Sequence, residues 1–357
     1  MKRAFSLIAV VACVTVLFSA QVWAQPGGGA RGGMGGGMGG GMRMGRGING
    51  DWMVTQEFNG MQMNSILSFS RNQDGMTGQW IGMMGVSDLG DVQFADGQLT
   101  FTRTMQSFGM GGGGAATPST FKGTLSDTGE ITGTMSGGPQ GDMPIKATRM
   151  PRMPRSAGVW ALTMTIGDRE MPFTLTISTD AEGQPTAKWA SERGDAKVSD
   201  LQSSRDGLSF KVTSENGQFQ WEATFAGTIE GDNLTGALSS EMGDIQVKGQ
   251  RQGADLIGTW NLDVASEMGD QKQRLVINPD LSALYGASQV KSVKFADGQV
   301  SFDINLGFGG QDFSMSFKGT IEDSKLKGEL TTPMGSQTVT GTKAPARMGM
   351  GRRGPAM

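Results

Sequence analysis

The chain has 357 residues, a formal net charge of −3, no histidine and a single cysteine, Cys13. The lack of histidine excludes the Ser-His-Asp mechanism and removes the commonest general base and the commonest zinc ligand together. If Cys13 leaves with a leader, the remainder has no disulfide or thiolate chemistry, and its stability must come from packing.

Residues 1–24 carry Lys2 and Arg3, an apolar stretch from Ala4 to Phe18, and Val22-Trp23-Ala24 before Gln25. That order predicts a secretory signal cut after Ala24, and hence an exported protein: periplasmic, cell-surface or extracellular. The apolar stretch is short for a membrane span, so no transmembrane segment is expected after its removal. Val10-Val11-Ala12-Cys13 loosely resembles a bacterial lipobox, and lipidation at Cys13 is the alternative processing.

Residues 25–47 are glycine with methionine and arginine, which predicts a disordered tether, and residues 345–357 form a basic tail of the same character. Met34, Met38, Met42 and Met44 are thioether donors of the kind that take Cu(I). They stand in glycine low complexity without histidine or cysteine, so no metal site and no cofactor is assigned.

Between the tails one pattern occurs three times. Gly50-Asp51-Trp52, Gly158-Val159-Trp160 and Gly258-Thr259-Trp260 open the copies, and Phe121-Lys122-Gly123-Thr124, Phe225-Ala226-Gly227-Thr228 and Phe317-Lys318-Gly319-Thr320 recur late in them. The predicted organisation is repeat 1 over 48–149, a Pro/Arg linker over 150–156, repeat 2 over 157–251 and repeat 3 over 252–344. Within each copy apolar and polar residues alternate, as in Val300, Phe302 and Ile304, which is the period of a half-buried strand. Asp96-Gly97, Asp206-Gly207 and Asp297-Gly298 are hairpin signals between such runs. About eight strands per copy, each followed closely by a reversal, are best closed as a barrel, because closure removes both exposed edges. The fold class is all-β: three tandem eight-stranded antiparallel up-and-down barrels. The short join near 252–256 predicts that barrels two and three pack together.

The Gly-x-Trp opening and the eight-stranded meander resemble the lipocalin and avidin group of calyx barrels. The whole repeat resembles small modules of secreted bacterial proteins; its Val-Ser-Asp segments (Val86-Ser87-Asp88, Val198-Ser199-Asp200) and Phe-x-Gly-Thr hairpins carry that likeness. The resemblance implies a barrel and ligand binding without naming a contact residue.

Candidate ligand-binding residues are the aromatics of the first and third strands: Trp52, Trp160 and Trp260, then Trp80, Trp189 and Tyr285. They are core residues or a stacking platform for a saccharide or a small apolar ligand. Gly123, Gly227 and Gly319 share the inward parity, either to make room for the opposing indole of the first strand or to leave a pocket floor. Charge is segregated: residues 51–145, 156–251 and 253–342 hold 9, 14 and 11 acids against 3, 8 and 7 bases. Lys146, Arg149, Arg152, Arg155, Lys343 and the tail arginines Arg31, Arg43, Arg46, Arg347, Arg352 and Arg353 fall in the tails and first linker, where they would hold the acidic barrels to an anionic envelope surface. Nucleic acid is not an expected partner. The reading is a noncatalytic exported binding protein, with a structural spacer of fully packed barrels as the alternative.

Overall fold

The computed structural model describes residues 47–345 apart from 59–60, 74, 84, 105–117, 139–140, 205–206, 217–218, 266–268 and 309–310. The leader, nearly all of the tether, the tail beyond residue 345, the glycine insert 109–114, Gly60 and Asp206 lie outside the described residues.

The first repeat contains β1 (Gly50–Phe58), β2 (Met61–Asn72), β3 (Gly75–Gly82), β4 (Gly85–Ala95), β5 (Gln98–Thr104), β6 (Pro118–Leu125), β7 (Glu130–Gly138) and β8 (Gly141–Arg149). The second contains β9 (Gly158–Ile166), β10 (Arg169–Thr179), β11 (Pro185–Ser191), β12 (Lys197–Ser203), β13 (Gly207–Asn216), β14 (Phe219–Glu230), β15 (Asn233–Ser240) and β16 (Gly243–Arg251). The third contains β17 (Gly258–Ala265), β18 (Gln271–Ile277), β19 (Ala283–Tyr285), β20 (Ser288–Ala296), β21 (Gln299–Phe308), β22 (Gln311–Glu322), β23 (Lys325–Thr332) and β24 (Gly335–Lys343).

Every pairing is antiparallel between chain neighbours, and the last strand of each repeat returns to the first. Barrels 1 and 3 are closed. Barrel 2 is nearly closed: β11 and β12 stand at its two margins, joined among the described residues by the lone bridge Trp189↔Ala196. Among the described residues there is no α-helix, and no helix long and apolar enough to cross a membrane.

The alternation read from the sequence is the inside–outside alternation of these strands. Each barrel encloses its own apolar cluster, with Trp52, Leu67, Phe69, Phe101 and Phe121 in the first and their counterparts in the others. Asp96 and Asp297 take positive φ of 51° and 50° before Gly97 and Gly298, the two-residue geometry that matches strand twist. A bulge interrupts the fourth strand of each barrel. Its registers correct one alignment: Gly90 opposite Thr102 matches Ser199 opposite Lys211, so positive-φ Asp91 is the counterpart of Asp200. Val86-Ser87-Asp88 lies three residues too early, because the bulge aspartate sets the register and the shared tripeptide does not.

A fourth apolar cluster lies between barrels. Ile66 and Ile81 point outward from β2 and β3 and pack with Ala287 and Leu284 of barrel 3, with Met53, Val86 and linker Met150 around them. Asp51 accepts from Ser68 at 2.7 Å and from Arg274 of barrel 3 at 3.1 Å, while Gln273 donates to the Gly82 carbonyl at 3.2 Å. The expected contact of barrels two and three exists where the Val159 amide donates to the Pro279 carbonyl at 3.3 Å. The docking of barrel 1 onto barrel 3 is the unexpected one, and the longer first linker supplies the reach for it.

Candidate ligand-binding site

The six candidate aromatics belong to one repeated row. Trp52 pairs with Leu67, which pairs with Trp80; Trp160, Leu175 and Trp189 repeat this, and so do Trp260, Leu275 and Tyr285. Strands in an eight-stranded barrel tilt, so the row climbs from the end where the chain leads in to the opposite, far end. The first tryptophan is the third residue of its strand, and the third-strand aromatic stands at or within two residues of its strand's end.

The lead-in ends are plugged. The indoles of Trp52, Trp160 and Trp260 are fully buried, and each donates its N–H to the carbonyl four residues earlier: Ile48 at 2.7 Å, Ser156 at 3.0 Å and Leu256 at 2.8 Å. On the other side of each indole stands the last residue of the closing strand, in direct register: Arg149, Arg251 or Lys343. The guanidiniums lie 4.2 and 4.6 Å from the ring centroids and the ammonium 5.6 Å, a stacking worth about 0.5–2 kcal/mol. Each cation also donates to a lead-in carbonyl: Arg149 to Asn49 and Gly47, Arg251 to Arg155, and Lys343 to Asp255. Burial lowers the Arg251 and Lys343 pKa values, offset by Asp232 for the former and by Asp255 and Asp232 for the latter.

Three of the basic residues assigned to flexible segments are therefore strand residues. Arg149 and Lys343 are these plugs, and Lys146 on β8 pairs with Glu130. Their shared position as closing-strand ends, aligned with Arg251, was the sequence signal for it.

The inward glycines also face a different ring from the one expected. Gly123 pairs with Gly133, Gly227 with Gly236 and Gly319 with Gly328. A Cβ on the first glycine of each pair would stand 2.5–2.6 Å from the ring tip of Phe121, Phe225 or Phe317, two residues back on the same strand. Those phenylalanines stack on Phe101, Phe210 and Phe302 with centroids 4.7–4.8 Å apart. The glycine pair is the seat of a phenylalanine, because a ring folded along its own strand covers the backbone that glycine leaves bare.

The far ends differ from one barrel to another. In barrel 2, Trp189 stacks on Phe173 with centroids 3.7 Å apart and planes 11° apart, and meets Trp221 edge-on at 6.4 Å and 70°. Trp189 is buried and Trp221 half-buried, so the ring cluster leads from the core to the surface beside the unclosed β11–β12 seam. Phe173 and Trp221 were not among the sequence candidates. Trp221 shares the inward parity of Ala223 and Phe225, which was the available signal. In barrel 1 the Arg103 guanidinium lies 4.3 Å from the Trp80 ring centroid. In barrel 3 Tyr285 is enclosed by apolar neighbours, and burial pushes its phenol well above the ordinary tyrosine range.

Two hollows of about 490 and 500 Å³ lie along strands β21–β23 and β12–β14. Their linings, such as Asp303, Asn305 and Ser314 or Asp200, Gln202 and Lys211, are largely outward residues, and neither hollow contains the aromatic row.

No protein-family model matches the chain, and no curated protein matches it. Among solved structures, a Bacteroides fragilis protein provisionally described as an outer membrane protein aligns at 13% identity and TM-score 0.22, over 83% of this chain and 98% of its own. Transferrin binding protein B of Haemophilus parasuis, in a double-mutant form, aligns at 12% identity and TM-score 0.20, over 82% and 75%. That of Neisseria meningitidis serogroup B aligns at 12% and 0.18, over 81% and 67%. Overlaps of this quality extend no property of those proteins to this chain.

Proposed function

We propose that the chain is an exported, noncatalytic binding protein whose barrel 2 holds a neutral saccharide against the Phe173–Trp189–Trp221 cluster at its far end. The observation that carries this reading is the cluster itself: Trp189 in contact with both Phe173 and Trp221, the outermost ring half-buried, beside the β11–β12 seam that the sheet leaves open among the described residues. A ring face that is apolar and partly exposed suits the C–H face of a pyranose. The β9–β10 and β11–β12 hairpin ends carry Asp168, Glu170, Glu192 and Asp195 against Arg169 and Arg193, a balance that disfavours an anionic ligand.

Trp52, Trp160 and Trp260 serve as plugs in this reading, and Trp80 and Tyr285 line the far ends of barrels that are fully paired around them. Barrel 3, closed and docked on barrel 1, acts as the spacer that the alternative reading assigns to every barrel; the observation favouring that part is the buried cluster between them. Export rests on the leader-like segment, and attachment to an anionic envelope surface rests on the arginines of the tails.

Titration of tryptophan fluorescence with neutral oligosaccharides, such as linear glucans and chitin fragments, tests the site. Wild type is expected to respond saturably, and Trp221→Ala to bind at least tenfold more weakly, about 1.4 kcal/mol, under conditions where circular dichroism shows the variant still folded, because the side chain packs against the barrel core. Equal binding by the variant counts against the assignment.

A further inference from the structure

Barrel 1 contains an inward residue that its sister barrels lack. Arg103 follows Phe101 by two on β5, which gives it the inward parity, and register with β6 sets it opposite Ser119, a buried serine. Aligned on the stacked phenylalanine pairs, the same position is Val212 in barrel 2 and Ile304 in barrel 3, both buried. The Arg103 guanidinium rests on Trp80, and its Nε is buried with no hydrogen-bond partner. Burial alone lowers its pKa, to about 10; no carboxylate counters it.

The acids nearest this end do not reach inside. Glu57, Asp88 and Asp142 have the outward parity of β1, β4 and β8 and all three are exposed, and Asp88 accepts a hydrogen bond from Gln79 at 3.0 Å. The connection from 105 to 117, which leaves the strand just after Arg103, contains no aspartate or glutamate in its sequence. Arg103 is half-buried, and a partly desolvated cation without a counter-ion, kept where the two sister copies carry aliphatic residues, carries a cost that an anion at this end would offset.

We propose that the far end of barrel 1 binds a small monoanionic carboxylate, gripped by the Arg103 guanidinium while Trp80 backs the guanidinium plane and the Ser119 hydroxyl stands beside it. A guanidinium presents parallel N–H groups that match a carboxylate bidentately. Charge selects the class. Among the described residues of barrel 1 the other bases are elsewhere: Lys122 and Lys146 are outward and exposed, Arg71 is exposed, and Arg149 plugs the opposite end. One inward cation neutralises one negative charge, and a phosphate dianion would bring a second with nothing to meet it. This site is independent of the barrel 2 cluster, so either proposal can fail alone.

Calorimetric titration of the full chain with benzoate, benzamide and inorganic phosphate tests it, on wild type and on Arg103→Val, the side chain barrel 2 uses at this position. Benzoate is expected to bind wild type with a dissociation constant below about 1 mM, phosphate at least tenfold more weakly, and the isosteric neutral benzamide not at all. Arg103→Val should lose at least tenfold in benzoate affinity while melting at or above the wild-type temperature. Arg103→Lys, which keeps the charge and loses the fork, should bind benzoate several-fold more weakly than wild type, and it serves as the test should the valine variant not fold. Benzoate binding absent up to about 10 mM, unchanged in either variant, matched by benzamide, or weaker than that of phosphate overturns the proposal.

Discussion

The glycine pair under each phenylalanine makes a prediction whose sign depends on geometry alone. Replacing Gly236 by alanine raises intrinsic strand stability, because alanine loses less conformational freedom on folding, a gain of about 0.5–1 kcal/mol. Against that gain stands space. A Cβ at Gly236 would meet the Ala226 carbonyl oxygen on the neighbouring strand, the Gly227 Cα at 2.7 Å and the Phe225 ring tip at 2.8 Å. The ring could swing aside, but two of the three obstacles are backbone of a paired strand, and the ring itself is stacked on Phe210 at 4.8 Å. Overpacking of this kind costs about 1–3 kcal/mol, so a net loss of about 1–2 kcal/mol is expected. For a barrel of this size that lowers its melting temperature by roughly 4–15 °C. Gly133→Ala and Gly328→Ala meet equivalent backbone in barrels 1 and 3 and should behave alike. Differential scanning calorimetry on the three variants reads the result. A variant that melts at or above the wild-type temperature would show that the strand can move to admit a methyl group, and the close-approach argument would fail.

Tyr285 is the single tyrosine of the chain, so an ultraviolet titration reads it alone. Burial raises its folded pKa above the ordinary value of 10.0, so its contribution to stability is present below about pH 10 and is lost as pH rises toward the folded value. Barrel 3 should unfold as phenolate appears in alkali, and Tyr285→Phe should remove that part of the pH dependence; phenolate forming at the ordinary pKa without unfolding contradicts the burial. Gly85→Ala sets a Cβ 2.6 Å from the Lys272 carbonyl oxygen at a φ of 107°, so barrel 1 should release from barrel 3. Small-angle scattering should then give a larger radius of gyration with circular dichroism unchanged, and an unaltered radius would refute the docking. Arg251→Ala removes the cation from Trp160 and the hydrogen bond to the Arg155 carbonyl, for an expected loss of about 1–3 kcal/mol in denaturant unfolding, whereas Arg251→Lys should retain part of it.

The barrels were legible because period-2 alternation and Asp-Gly turns are local signals, repeated three times with the same meaning. Arg103 and Trp221 were also legible in principle, since each shares parity with a phenylalanine already placed inside. What could not be read is long-range. The docking of barrel 1 on barrel 3 depends on Ile66 and Ile81, outward apolar residues whose partner Ala287 lies some two hundred positions away, and on a glycine at 85 that matters only because another backbone meets it. The plugging cations escaped because charge near a linker reads as solvated until closure sets it beside a tryptophan. Nothing local in β11 and β12 marks the seam that fails to zip.

The claim that barrel 2 presents a saccharide platform is tested most directly by saturation-transfer NMR on the full chain with a neutral oligosaccharide. Saturation of the protein's aromatic protons is expected to reach the sugar C–H protons in wild type and to fall away in Trp221→Ala, while Trp80→Phe in barrel 1 leaves it intact. Transfer of equal strength in Trp221→Ala, or none in wild type, contradicts the account.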